Sequence, residues 1–466
     1  MEEDYGFIMD KPQQVETFEK MLNENLGVYF DVDDFEQIID YYHYESLFEK
    51  AIHAAELAID LHPASISLKL RIASLLASSN DEKGALSLIN EIENSDPDNV
   101  DIYLTKGAIY SQLKDYKKAI DAYNKALPMA EEPDYICCNI AFEYENLGEY
   151  NKTIEYLKKA LDYNPDNYVA MFEAAYCFDL LALNEESISF FMKHIDKHPY
   201  STEAWFNLGV SYNNANMHEK AIEALDYCHV ILEDHKPAYI QKAFAYSGLN
   251  QYDMAIECYK NSVDSIEDNP MVLYYIAEAY EKMENFSQAI VYYNQAIELD
   301  EEITDAWIGL GVCELEAGNV SKAINSMLKG LSMDPENTSY LCLVADAYHT
   351  AGDKENFIKY YEKALYFDNI DAETWFDYAD SLITFRDFEE AINIIVRGTE
   401  AIKELPAFNY RTAICLYFSG KQGEADFFLE EALREDIGFL DYKILEKYPE
   451  LSSFDSYVRI IGSYGP

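Results

Sequence analysis

The sequence predicts an all-α fold, a solenoid of helical hairpins, and three periodic columns predict it. Steps of 34 from Ala221 reach Ala51, Ala85, Ala119, Thr153, Ser187, Ala255, Ala289, Ala323, Phe357, Ala391 and Ala425, with no insertion breaking the register. Ahead of that column a bulky residue such as Trp205, a small one such as Gly209 and an aromatic such as Tyr212 recur together. Their spacing of i, i+4 and i+7 marks one face of a helix. Behind the column stand Pro63, Pro97, Pro165, Pro199 and Pro335. Proline cannot continue a helix and restricts the residue before it, so each pair of helices stops there.

Taken in order, residues 12–27 read as a helix with Val15, Phe18, Leu22 and Leu26 on one stripe, so 1–31 are expected to form an N-terminal cap and tail. Twelve units then tile residues 32–439, counted from three places before the Trp column. In each unit the first helix buries positions 4, 7, 8 and 11, and the small residue at 8 lets the second helix approach closely. One hairpin cannot bury both of its faces, so stacked neighbours complete the core. Units one, five and eleven depart most, with Phe35, Met171 and Leu382 in place of Trp, Trp and Tyr. Residues 440–466 are expected to give a capping helix, a break at Pro449, a further short helix and a frayed end.

The stretches "WFNLGVSY" from Trp205, "WIGLGVCE" from Trp307 and "YLTKGAIY" from Tyr103 resemble the tetratricopeptide repeat family, whose signature is W-x2-L-G-x2-Y…A-x3-F…P at this period. The resemblance runs through nearly the whole chain. It implies a right-handed superhelix whose concave groove is lined by the free face of each first helix. It also implies protein binding rather than catalysis, as in the long repeat arrays without a signal peptide that are common in bacteria.

Composition narrows the partners. Basic residues number 35 against 86 acidic ones, a net charge of −51. Nucleic-acid affinity rests on Lys and Arg neutralising phosphates, so nucleic acid is excluded as a partner, and anionic membranes for the same reason. Attraction to basic partners remains. The N-terminal "MEEDYGFIMDKPQQ" carries no basic or apolar leader, no apolar run approaches a membrane span, and the eight cysteines lack paired spacing. A cytoplasmic chain with reduced thiols is the expectation.

No catalytic signature stands out. The sequence lacks G-x4-G-K-[ST], G-x-G-x-x-G, H-E-x-x-H and G-x-S-x-G, so no nucleotide, metal or acyl-transfer chemistry is indicated. His194 and His198 lie at i, i+4, a spacing a metal can use, but no Cys or carboxylate clearly converges on them and a structural role is preferred. No enzyme activity, cofactor or metal is expected.

Function then falls to the positions the scaffold leaves free, namely 2, 5, 9, 12 and 13. Position 9 is aromatic or apolar in units four to seven (Phe142, Tyr176, Val210, Phe244) and acidic at Asp40, Asp346 and Asp380. Position 5 adds Phe172, Phe206 and Tyr274, and Asn207, Asn213 and Asn214 lie on or beside this face. Those ten non-acidic residues, from Phe142 to Tyr274, form the candidate partner-binding groove. An apolar patch rimmed by acids marks an interaction site, although curvature that buries the rings against neighbouring helices accounts for the same pattern. The asparagines are open to the same two readings, peptide contact or plain solvation. An occupied groove takes a peptide or helix with apolar anchors beside Lys or Arg. Replacing Phe142, Tyr176 and Phe244 together by Ser is expected to abolish capture.

Two family specialisations fit poorly. A carboxylate clamp needs converging Lys, Asn and Arg, whereas Lys282 stands alone on the groove positions and Arg71 and Arg411 lie far apart. An asparagine ladder at position 6 is interrupted, with Glu173 between Asn139 and Asn207. The sequence thus describes a non-enzymatic protein-interaction scaffold. The alternatives are a regulator that sequesters a basic or partly unfolded client, a self-assembling array or, least favoured, an enzyme with an acidic site. The partner's identity and the oligomeric state are left open.

Overall fold

The computed structural model describes residues 11–24, 27–79, 81–402, 406–435 and 447–464. Among them there is no strand, and the helices come in pairs. First helices begin at Val32, Ile66, Val100, Pro133, Tyr168, Thr202, Lys236, Pro270, Thr304, Thr338, Ala372 and Pro406. Second helices begin at Phe48 and then every 34 residues to Gln422. The chain divides into two compact units, residues 1–241 and 242–466, a division that the unbroken register does not mark. In each unit consecutive hairpins stack as a solenoid.

Two columns that give no single letter in the sequence set these boundaries. Just before the first helices, Ser65, Asn167, Ser201, Asn337 and Asp371 each accept a hydrogen bond from the backbone N–H three residues on. Each satisfies one of the donors that a helix start leaves unpaired. Between the two helices the chain turns through a left-handed residue at Ser46, Lys114, Gly148, Ala182, Asn216, Asn250, Glu284, Gly318, Gly352, Arg386 and Gly420. In repeat five the turn closes with Leu183 N–H donating to Phe178 O and Ala182 N–H to Asp179 O, at 2.9 and 2.8 Å. That is the double bond of a Schellman motif. An L side chain costs about 1–2 kcal/mol in this conformation, against a smaller entropic cost for glycine. Exposed Ala182, at φ 53°, is therefore expected to stabilise the first unit by about 0.5–1 kcal/mol when replaced by Gly, read as a higher urea midpoint.

Packing across each hairpin follows one rule of size. The small residue at position 8 faces a bulky one at position 24: a Cβ on Gly107 would stand 2.4 Å from Tyr123 Cε1, and one on Gly311 2.4 Å from Met327 Cγ. In repeat one the sizes are exchanged, with Ile39 at position 8 and Ala55 at 24, both buried. Phe357, the one large residue of the alanine column, is fully buried and packs edge-on against Tyr361, Tyr378 and Phe385 at 5.3–5.5 Å. The position-4 aromatics carry a second duty. Trp205, Trp307 and Trp375 donate Nε1–H to the backbone carbonyl six residues back, at 2.9–3.0 Å, and Tyr103 its hydroxyl likewise at 3.0 Å.

The ends differ from the expectation in detail. The N-terminal helix spans Gln13–Glu24 and buries Val15 and Phe18, but Leu22 is exposed, and half-buried Met21 covers that part of the stripe. Residues 1–10 and Leu26 lie outside the described residues. So do 436–446, and with them the end of unit twelve and the first part of the expected C-terminal cap. Beyond them a short 3-10 turn, Pro449–Ser453, leads to a helix at Asp455–Tyr464 whose Tyr457 hydroxyl meets that of Tyr410 at 2.9 Å. No described helix is long and apolar enough to cross a membrane.

Candidate functional site

In the first unit the free face of the first helices is most open at repeats four and five. Phe142 on Pro133–Asn146 and Phe172 and Tyr176 on Tyr168–Leu180 are 57, 64 and 47% exposed. They sit there because positions 5 and 9 lie on the helix face away from the hairpin partner. Between these helices a cavity of about 290 Å³ is lined by Tyr135, Cys138, Asn139, Phe142, Glu145, Val169 and Glu173, over Ala141, Thr153 and Leu157. Asn167, the cap of Tyr168–Leu180, closes one end and donates to Cys138 Sγ at 3.7 Å and to Asp134 at 2.9 Å.

The electrostatics of this cavity favour a cation. Burial raises the Glu173 carboxyl above the usual carboxylate range, and the nearby Glu145 raises it further. The Cys138 thiol is pushed up to about 11 by burial and by the charge of Asp134, so it carries no thiolate reactivity at neutral pH. A positive group entering beside Glu173 offsets the burial and like charge that disfavour its ionised form.

The remaining expected groove residues are placed differently. Asn207 is buried, not at the rim of the groove. Asn213 donates to Gln241 O at 2.9 Å and to Gln241 Oε1 at 3.3 Å, and Asn214 donates to Asp179 at 2.6 Å. Asn184 in turn donates to Asn214 O at 3.1 Å. These contacts tie neighbouring hairpins together, so Asn213 and Asn214 are structural bridges. Phe206 is half-buried and packs on His235 at 5.1 Å, with Val210 half-buried beside it on the same helix. In the second unit Phe244 is half-buried between Tyr259 and Tyr275, at 6.0 and 5.3 Å, and Tyr274 packs on Tyr293 at 6.1 Å. The rings the sequence grouped into one groove therefore fall into an open set at repeats four and five and covered ones elsewhere.

A position-9 residue meets the residue 31 places on, at position 6 of the next repeat. Tyr275 covers Phe244. Arg71 makes a bidentate pair with Asp40 at 3.0 and 2.9 Å, and Arg411 makes the same pair with Asp380 at 2.8 and 2.9 Å. Both arginines are thus engaged by the scaffold, which removes them from any carboxylate clamp. At Asp346 the partner is Asp377, whose carboxyl is pushed up to about 6 by burial, Asp346 and Asp380. Glu173 and Asn207 stand at that place for Phe142 and Tyr176; neither is aromatic, and both rings stay open. The i, i+31 relation was the signal that the sequence reading missed.

His194 and His198 do lie side by side, with ring centroids 5.0 Å apart and the planes tilted by 40°, and burial pushes the His194 imidazole below its ordinary value.

Profiles of the family described as Tetratricopeptide repeat match residues 100–132, 135–167, 203–228, 237–269, 270–303 and 338–371. Among curated proteins, human "Protein O-mannosyl-transferase TMTC1" is 28% identical over 101 residues, 22% of this chain but 12% of that protein, so the likeness spans about an eighth of the relative's length. Among solved structures, "YrrB: a TPR protein with an unusual peptide-binding site" is 20% identical, with 38% of this chain and 92% of that chain covered and a TM-score of 0.32. The "APC/C hetero-tetramer Cut9-Hcn1" is 14% identical, with 90% and 98% covered and a TM-score of 0.39.

Proposed function

For a chain that is a tetratricopeptide repeat protein, we propose a scaffold role in which repeats four and five hold a peptide or helix of a partner protein. The observation that carries this reading is the open ring set of Phe142, Phe172 and Tyr176 around the acid-lipped cavity of about 290 Å³. Exposed aromatic anchors beside a pocket supply the desolvated contacts that dominate peptide affinity. Glu145 and Glu173 favour Lys or Arg next to the apolar anchor.

The test is selection of a displayed random-peptide library against the whole chain, followed by a triple variant, Phe142→Ser, Phe172→Ser and Tyr176→Ser. Phe172 replaces Phe244 in that design, because Phe244 is packed into the second unit's core and its loss would disturb folding. Selected peptides are expected to pair apolar residues with Lys or Arg and to lose at least about tenfold in affinity, roughly 1.4 kcal/mol, for the variant. Helicity by circular dichroism should be unchanged. Peptides that bind the folded variant as tightly as the parent sink the proposal.

A further inference from the structure

A second cleft, on the other side of the hairpins and in the second unit, owes its size to two missing side chains. In repeat six position 4 is Trp205, which stacks on Tyr227 at 4.5 Å, and the cleft it lines together with Met192, Ile195 and Leu208 has a volume of about 360 Å³. In repeat eleven Trp375 lies under the Arg397 guanidinium at 5.5 Å in a cleft of about 490 Å³. Repeat twelve has Asn409 at position 4 and Thr412 at position 7, in place of Trp and Leu. The register-equivalent cleft there opens to about 870 Å³.

The walls of that cleft fit a ring. Ile395, Val396, Phe408, Leu416 and Phe428 give it an apolar lining, and Val396 is 51% exposed. Phe428, half-buried, offers an aromatic surface for offset or edge-on packing, over a floor that includes buried Phe408. Asn409 and Thr412 place side-chain oxygens where an indole N–H or a phenol would find an acceptor. Two carboxylates, Glu400 and Glu424, line the cleft against one ammonium, Lys421, so its charge balance is negative within a chain of net charge −51. We propose that this cleft is a docking site for a Trp or Tyr side chain, flanked by Lys or Arg, on a partner polypeptide. The guest ring takes the space that repeats six and eleven fill with their own tryptophans.

The experiment uses the full chain carrying the three serine substitutions at repeats four and five, so that binding there does not contribute. A fluorescein-labelled peptide of sequence Lys-Trp-Lys, acetylated and amidated, is titrated by anisotropy. The same peptide with Ala for Trp, and another with Glu for both Lys, serve as comparisons. The Trp peptide is expected to bind at least about tenfold tighter than either. Filling the cleft from within, by Asn409→Trp or by Thr412→Leu, should weaken it at least about tenfold while raising the melting temperature of the second unit. Equal binding of the Ala peptide overturns the proposal, as does unchanged affinity in a folded filling variant. If one substitution prevents folding, the other and the peptide comparison still decide.

Discussion

Replacing Gly209 by Ile is expected to destabilise repeat six by about 3 kcal/mol, and Leu225→Ala by about 3 kcal/mol, yet the two together should stay within about 1.5 kcal/mol of the parent. A Cβ on Gly209 would lie 2.5 Å from Leu225 Cγ and 2.7 Å from Cδ2, so the larger side chain has no space while Leu225 remains. Removing Leu225 alone leaves a cavity at a fully buried position, which costs the lost transfer free energy and the lost contacts. The double substitution recreates the pair that repeat one uses, Ile39 facing Ala55, both buried. Urea denaturation of the four chains measures the coupling, and hydrogen exchange in Thr202–Asn214 and His218–Ile231 locates it, because the stability of a repeat array is close to a sum over neighbours. Additive losses would show that the hairpin interface senses each residue separately and that the size exchange in repeat one is incidental.

The same pairing explains why so much of the fold could be read from the sequence. Close approach of two helices needs a small residue at one fixed place, so the columns through Ala221 and Gly209 repeat almost as letters. Caps and left-handed turns need only a side-chain oxygen or a tolerated φ. Ser65, Asn167 and Asp371 therefore share one role, as do Ala182, Asn216 and Gly318, and no letter repeats. The free face of the first helices is legible from the 100° rotation per residue, and Phe142, Phe172 and Tyr176 lie exposed on it. Their openness was not legible. Exposure at position 9 depends in part on a residue 31 places on in another hairpin, and Phe244 meets Tyr275 there, with Tyr259 on its other side, where Phe142 has Glu173 and Leu157. Asn213 and Asn214 show a related effect: polar residues on a groove face can spend hydrogen bonds on neighbouring hairpins, Asn213 on the following one and Asn214 on the preceding one.

Tyr361→Phe is expected to cost the second unit about 1.5–3 kcal/mol at pH 8, and less at pH 5. Tyr361 is fully buried at position 24, and its hydroxyl crosses the hairpin to donate to Asp346 Oδ1 at 2.6 Å. The tyrosine at position 24 of repeat eight does the same for Glu281, at 2.7 Å. Asp346 already has its carboxyl raised by burial, and the Tyr361 hydrogen bond is the main influence holding that value down. Removing the hydroxyl leaves an ionised, poorly solvated carboxylate without its donor and raises its pKa further. A folded-state pKa above the unfolded value means that the native chain binds the extra proton, so stability falls as pH rises through the window between the two values. The variant widens that window, and its deficit relative to the parent must therefore grow with pH. Urea midpoints of both chains at pH 5 and pH 8 test this, and Asp346→Asn in the variant background should remove the pH dependence of the deficit. No deficit at either pH would mean that Tyr361 contributes packing alone, since phenylalanine keeps the ring and loses only the hydroxyl. The acids at Asp346 and Glu281 would then be tolerated on the helix face without support from the core, and the buried tyrosines could not be the reason this unit can carry them.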